Sequence, residues 1–386
     1  MSNKPKQKIL VYEAVGAEGG MGFFNDQYCS GLQKNGFDVY YFGGKVECTE
    51  KQSYRSFEHL SGLFTKKGHL RKILILFHAV LKLTQVIISQ RIRMANFHIF
   101  HIGPLEFFLS ILLKILGVKL IITLHDVESI GTQKDNVKLK RLVYSMVSRI
   151  VVLSNYSKKI LESKENIKGG ISVINHGNYL DYSRIRDGEG KAIWHNDSNL
   201  KILFLGKIKK VKRLDLLISA LGKMNKKGLK NYSLIIAGKP HDVSESEVHS
   251  YIMDAGLEAH VDLKLRYISD SEMLEIIESS DFAVLPYEEI FQSGVLLLCM
   301  SKLLPVITSD IEGFLEVIEP EKNGIVFRSG NENDLENKIE MMINNRELRE
   351  SVANQAYKTC QGKYDWGRIS VQAANVFHSL LDSGEA

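Results

Sequence analysis

Short apolar runs alternate with segments of helical period along nearly the whole chain, in two series separated by a polar stretch. The first series predicts strands at KILVYEAV, FDVYYFG, FHIFHI, KLIITLHD, RIVVLS and ISVINHG. The second predicts them at LKILFLG, YSLIIAG, VDLKLRYI, FAVLPY, LPVITS and GIVF. Near-continuous Val, Ile, Leu and Phe suits strands buried on both faces, as in a parallel sheet covered by its crossover helices. Between the series lies DYSRIRDGEGKAIWHNDSN, rich in Gly, Ser and Asp and without apolar period, which reads as a linker. The expected organisation is a Rossmann-like domain over 1–180, a linker over 181–199 and a second Rossmann-like domain over 200–360. A C-terminal helical segment, 361–386, is then free to pack back on the first domain.

Tandem domains of this kind place their strand carboxyl ends facing one another across a cleft, and open α/β sheets bind ligands at those ends. The residues with chemical potential fall there. In the first half they are Gly19 and Gly20 after the first strand, His101 after the third, and His125 with Asp126 after the fourth. In the second half they are Gly206-Lys207, Gly238-Lys239, Tyr267 and the turn Gln292-Ser293-Gly294. That turn opens a helix, whose uncovered N–H groups and positive dipole end favour a phosphate. An ordinary strand–helix connection capped by Ser293 fits the same residues. Upstream, ILFLGKIKKVKRLDLLISAL brings Gly206, Lys207 and Lys212 to the start of another helix, a second phosphate-attracting feature in the same half. Lys209, Lys210 and Arg213 lie nearby, and five cations cannot all touch one diphosphate. His125 is either a participant or a core histidine. Asp126 orients it, accepts a hydrogen bond from an acceptor hydroxyl, or caps the following loop. No Asp-x-Asp metal pattern stands at a strand end.

Composition adds three constraints. The 386 residues are 44% apolar and 25% charged, the profile of a soluble globular protein long enough for two cores. The polar start MSNKPKQ gives no secretory signal, and the greasy stretch 73–88 is interrupted by His78, Lys82 and Gln85, so no membrane span is expected. Cys29, Cys48, Cys299 and Cys360 lack metal or redox spacing and suit a reducing, cytoplasmic location. The net charge of +5 hides an asymmetry: residues 1–250 hold 39 Lys and Arg against 21 Asp and Glu, residues 251–386 hold 11 against 24. Within 51–100 there are nine basic side chains and a single acid, Glu58. Basic residues interleaved with Leu, Ile and Phe (FTKKGHLRKILILFHAVLKL) suggest a helix lying on an anionic membrane surface, peripheral at the inner face. A core helix with a lysine-rich solvent side is the alternative. No nucleic-acid motif accompanies the charge.

On GAEGGMG, FLGKIKKVKRLDLLISAL, IIAGKP, DFAVLPY and QSG followed by PVITSDIEGFLEVI, the chain resembles retaining glycosyltransferases of the GT-B fold, particularly family 4. The resemblance spans essentially the whole sequence. It implies transfer of a sugar from a nucleotide-diphosphate donor to a glycan or lipid-linked glycan in cell-surface polysaccharide biosynthesis, without cofactor or metal. It also implies that Gly19, Gly20, Lys207 and Lys212 hold the donor diphosphate, that His125 meets the donor sugar, and that the Tyr267 backbone lies in the base-binding loop. Lys207 stands where the family usually has arginine, keeping the charge and losing the bidentate fork. The family's two glutamates, eight residues apart, are replaced by Ile290 and Leu298, a departure shared by a subset with a Q-S-G turn. A non-catalytic nucleotide-sugar-binding protein is the alternative from another class. A dinucleotide-dependent oxidoreductase ranks below both, since G-x-G-x-x-G is missing after the first strand and the second ends YYFGG without an acid.

Overall fold

The computed structural model describes residues 6–14, 20–44, 52–60, 69–127, 136–165, 167, 170–185 and 199–382. The chain forms two compact units: one runs to Gly177 and resumes at Asp365, the other is Asn178–Tyr364.

The first unit is a parallel sheet of seven strands: β1 (Gln7–Glu13), β2 (Phe37–Gly43), β3 (Arg55–Phe57), β4 (Met94–Ile99), β5 (Lys119–Leu124), β6 (Arg149–Val152) and β7 (Ile171–Val173). Their order is β3-β2-β1-β4-β5-β6-β7. Helices α1 (Met21–Lys34), α2 (His69–Gln90), α3 (Pro104–Ile115), α4 (Val137–Met146) and α5 (Asn155–Lys164) make the crossovers. Six of these strands lie on the predicted runs, although β4 begins three residues earlier than FHIFHI. The seventh, β3, has no apolar run of its own, because a three-residue edge strand needs only one neighbour.

The second unit is a six-stranded parallel sheet: β8 (Leu200–Leu205), β9 (Tyr232–Ala237), β10 (Val261–Lys264), β11 (Phe282–Leu285), β12 (Val306–Ser309) and β13 (Ile325–Phe327). The order is β10-β9-β8-β11-β12-β13. Its helices are α6 (Leu214–Lys226), α7 (Glu245–Ala255), α8 (Asp270–Glu278), α9 (Gly294–Ser301), α10 (Glu312–Leu315), α11 (Glu332–Asn344) and α12 (Arg346–Gly362). The chain winds outward from β8 to β10, then returns to β11 on the other side of β8. The carboxyl ends of β8 and β11 therefore flank the point where strand order reverses, and crossover helices diverge there to leave a crevice.

A final helix, α13 (Trp366–Asp382), belongs to the first unit and lies along α1. The contact is close at Gly31, where an added Cβ would sit 2.5 Å from Ser370 Cβ, and Asn35 Nδ2 donates to Ser370 Oγ at 3.2 Å. Trp366 packs edge-on to Phe24 and leaves no room for a side chain at Gly177, whose Cβ would meet the indole at 2.2 Å. The division between units falls at Gly177 and Asn178, ahead of the polar stretch expected to link them. The reason is hydrogen bonding within the second unit: Asn178 Nδ2 donates to the Cys360 carbonyl at 2.9 Å, and Tyr179 N–H to Ser301 Oγ at 3.0 Å. Residues 186–198 of the expected linker lie outside the described residues.

Candidate functional site

The β8–β11 switch point in the second unit carries a cluster of cations, Lys212 with Lys207 and Lys209. Gly206 follows β8 with φ 107° and Gly238 follows β9 with φ 151°. A Cβ on Gly238 would stand 2.0 Å from the Gly206 carbonyl oxygen, so only glycine lets the two strand ends approach. Gly206 N–H donates to Ala237 O at 2.9 Å and Ile208 N–H to Lys239 O at 3.0 Å, which ties those ends together. The chain then tightens into one 3₁₀ turn, Lys210–Lys212, and Arg213 enters α6 in the left-handed region at φ 52°.

That turn folds Lys212 back over the strand end. Its Nζ lies 4.9 Å from the centre of the Tyr287 ring and 2.9 Å from where a Gly206 Cβ would be. The ring face is electron-rich and attracts the ammonium. Even so, burial together with the positive charges of Lys209 and Lys207 pushes the Lys212 pKa down to about 7. The site thus holds a cation that an incoming anion would stabilise strongly. Lys207 is exposed beside it. Arg213 is committed elsewhere: its guanidinium grips the Asp215 carboxylate at 2.9–3.1 Å and pairs with Glu288. Of the five neighbouring cations, Arg213 is thus already neutralised.

At β11 the Gln292-Ser293-Gly294 turn opens α9. Ser293 Oγ accepts from Leu296 N–H at 3.1 Å, an N-cap contact. Gly294 is close to Tyr179, whose hydroxyl would be 3.1 Å from an added Cβ. Gln292 Oε1 and the Tyr287 hydroxyl are buried with no hydrogen-bond partner among the described residues. Unpaired buried polar atoms are costly, and the Tyr287 ring that carries one of them lies beneath Lys212. No carboxylate faces the turn from the positions of the family's glutamates: Leu298 is buried in α9, and the Ile290 carbonyl is pressed against Gly313, where a Cβ would be 1.9 Å away. Glu288 is held by Arg213. Tyr267 follows the edge strand β10, with its side chain 53% exposed and its carbonyl accepting from Arg266 Nη1 at 3.2 Å. It is separated from Lys212 by the width of two strands.

In the first unit, Gly20 has φ 82° at the start of α1, and Gly19 lies outside the described residues. His125, one residue past β5, is only 2% exposed and ends a buried polar chain. Thr123 Oγ1 donates to Asn96 Oδ1 at 2.9 Å, and Asn96 Nδ2 donates to the Tyr28 hydroxyl at 2.9 Å and to His98 Nε2 at 3.0 Å. His98 Nδ1 then meets His125 Nε2 at 3.2 Å. With the Asn96 amide donating, His98 Nε2 accepts and its proton sits on Nδ1. That proton points at His125 Nε2, which leaves the His125 proton on Nδ1. Phe100 stacks on the His125 ring at 4.5 Å and Phe24 meets it edge-on at 5.2 Å. Burial pushes the His98 pKa down to about 3. Burial, with His98 and His176 nearby, holds His125 well below the ordinary histidine value. A neutral imidazole so placed is suited to donating its N–H and poorly suited to taking a proton. Asp126 and His101 are half-buried at the ends of β5 and β4.

Asn96, His98 and Tyr287 were not marked by the sequence. A signal existed for the first two. Asn96 and His98 stand two apart in β4, and Thr123 and His125 two apart at the end of β5, so each pair shares a sheet face. The Lys212–Tyr287 pairing left no local trace.

Residues 18–181 match the family model described as Glycosyltransferase Family 4, and residues 189–359 match Glycosyl transferases group 1. An uncharacterized glycosyltransferase of Methanocaldococcus jannaschii is 25% identical over 337 residues, covering 86% of this chain and 88% of that protein. The capsular polysaccharide biosynthesis glycosyltransferase CapM of Staphylococcus aureus is 21% identical over 258 residues, 64% of this chain and 66% of CapM. Among solved structures, Anabaena HepE in complex with UDP and glucose superposes with a TM-score of 0.68 at 18% identity, covering 97% of this chain and 100% of HepE.

Proposed function

Since the chain belongs to the GT-B glycosyltransferases and is of the family 4 type, we propose that it moves a sugar from a nucleoside-diphosphate donor to a hydroxyl of a glycan or lipid-linked glycan in cell-surface polysaccharide synthesis. The observation that carries this reading is Lys212, held over Tyr287 at the β8–β11 switch with no carboxylate paired to it among the described residues. In the reaction the bond from the anomeric carbon to the diphosphate oxygen breaks, one to the acceptor oxygen forms, and the acceptor hydroxyl's proton passes to the departing diphosphate. Negative charge grows on the departing diphosphate, so an ammonium and the N–H groups at the start of α9 help most in the transition state. Lys207, Lys212, Ser293 and Gly294 would then supply that charge without a metal, and activity should survive EDTA. Gln292 Oε1 and the Tyr287 hydroxyl are assigned to sugar or ribose hydroxyls, in place of the carboxylates missing at Ile290 and Leu298. The acceptor is assigned to the first unit, with Asp126 and His101 near it and His125 donating through Nδ1.

The UDP bound by the structural neighbour HepE and the polysaccharide role in the name of CapM support testing UDP-sugars first. A thermal-shift panel of UDP-, GDP- and ADP-sugars, followed by mass spectrometry of a lipid-linked glycan pool incubated with the bound donor, tests the proposal. Binding of none would refute it. Donor binding with no transfer to a matched acceptor would favour a second reading, a nucleotide-sugar-binding protein without turnover. Apolar Ile290 and Leu298 are the observation in its favour.

A further inference from the structure

Four polar side chains, Thr123, Asn96, Tyr28 and His98, are buried in the core of the first unit. The three from strands β4 and β5 stand on a sheet face otherwise built from Val11, Ile121 and Val151, and α1 covers them with Phe24 and Tyr28. Polar groups at this depth are tolerated only when hydrogen-bonded, and apolar residues of the same shape would serve stability as well. Stability alone therefore does not account for them.

Their bonds run in one direction. Thr123 Oγ1 donates to Asn96 Oδ1, which fixes the amide with both of its protons turned to Tyr28 and His98. His98 then donates from Nδ1 to His125 Nε2 at 3.2 Å. Every donor in the chain is answered within it except the last, the His125 Nδ1–H at the carboxyl end of β5. Phe100, stacked at 4.5 Å, and Phe24, edge-on at 5.2 Å, fix the plane of the His125 ring. Neither can choose which nitrogen carries the proton. Among the described residues the ring has no hydrogen-bond partner other than His98, so His98 makes that choice. The choice matters because a histidine in water favours the other tautomer, with its proton on Nε2. Left to itself, His125 would present a lone pair from Nδ1 instead of a proton.

We propose that Asn96 and His98 are positioning residues for sugar transfer: they hold the His125 proton on Nδ1, so that the ring offers the donor sugar a hydrogen-bond donor. The inference rests on the functional reading above and adds two residues to it. The first test needs no variant to fold. Burial keeps both rings neutral at about pH 7.5, so histidine-selective ¹⁵N NMR of the full chain should show Nδ1 protonated and Nε2 bare in each. Their signals are assigned by their loss in His98→Gln and His125→Gln. In His98→Phe, which keeps a ring and removes both nitrogens, the His125 proton should move largely to Nε2. His98→Gln puts back an acceptor toward Asn96 and a donor toward His125, and should return the proton to Nδ1. The second test is calorimetric titration with the tightest-binding nucleotide sugar of the thermal-shift panel and with its parent nucleoside diphosphate. His98→Phe should weaken nucleotide-sugar binding roughly 3- to 10-fold and leave the diphosphate within about twofold, and His98→Gln should recover most of the loss. Three results would overturn the inference and leave the functional reading standing: a His125 proton on Nε2 in the unaltered chain, full nucleotide-sugar affinity in His98→Phe, or an equal loss for the diphosphate. Failure of the unaltered chain to bind any nucleotide sugar would instead overturn the functional reading, and this inference with it.

Discussion

Replacing Lys212 with Met removes the ammonium while leaving a flexible stem over the Tyr287 ring. In the free protein the group has its pKa pushed down to about 7, against an ordinary 10.5. A diphosphate that pairs with it restores the charge, so binding must draw a proton from solution. The uptake should be roughly 0.1 proton at pH 6, 0.5 at pH 7 and 0.9 at pH 8. Because protonation precedes the contact, affinity for UDP should fall roughly fivefold between pH 7 and pH 8. A charge-assisted hydrogen bond contributes about 1.5–3 kcal/mol, so Lys212→Met should weaken UDP binding roughly 10- to 150-fold at pH 7. Calorimetric titration with UDP in two buffers of different ionisation enthalpy reads the proton count and the affinity together. The variant should show weak binding and none of the extra uptake. Affinity unchanged in Lys212→Met, or no proton uptake by the unaltered protein at pH 8, would refute the placement of the diphosphate at this cluster.

The buried histidines make acid stability a second readout. His98 and His176 have pKa values pushed down to about 3 and 4, and His125 is depressed as well. The unfolded chain protonates all three near pH 6.5 while the folded chain does not, so stability is full above that pH and is lost below it. Urea melts should give a slope approaching about 4 kcal/mol per pH unit around pH 5; a flat profile would place these rings in water. Gly238→Ala forces a Cβ to 2.0 Å from the Gly206 carbonyl at a φ of 151°, and should cost about 2–4 kcal/mol in urea denaturation. A loss under about 0.5 kcal/mol would mean the strand ends are not so close. Tyr287→Phe deletes a buried hydroxyl that has no partner among the described residues and keeps the ring under Lys212. Stability of the free protein should stay level or rise by up to about 1 kcal/mol, whereas a clear loss would reveal a hidden hydrogen bond.

Much of the architecture was legible in the residues. Twelve apolar runs anticipated twelve of the thirteen strands, because burial on both faces leaves a local imprint that does not depend on distant neighbours. Gly206, Gly238 and the Gln292-Ser293-Gly294 turn were marked as strand-end features by type and position, since left-handed backbone and helix starts select their residues locally. The chain alone also showed an apolar and basic α2. It did not show which side of that helix faces water, as both sides are greasy and only the sheet beneath decides which is covered. Of the five cations near β8, the family spacing singled out Lys207 and Lys212, but composition and order alone gave no physical reason for that choice. Folding distinguished them by bringing Asp215 and Glu288 to Arg213 and a tyrosine from another strand beneath Lys212. The tautomer and proton affinity of His125 likewise follow from Asn96 and His98 on the adjacent strand. Helices and strands are written in short periodicities of polarity, whereas the charge state of a side chain is set by whatever the tertiary fold places within a few ångströms of it.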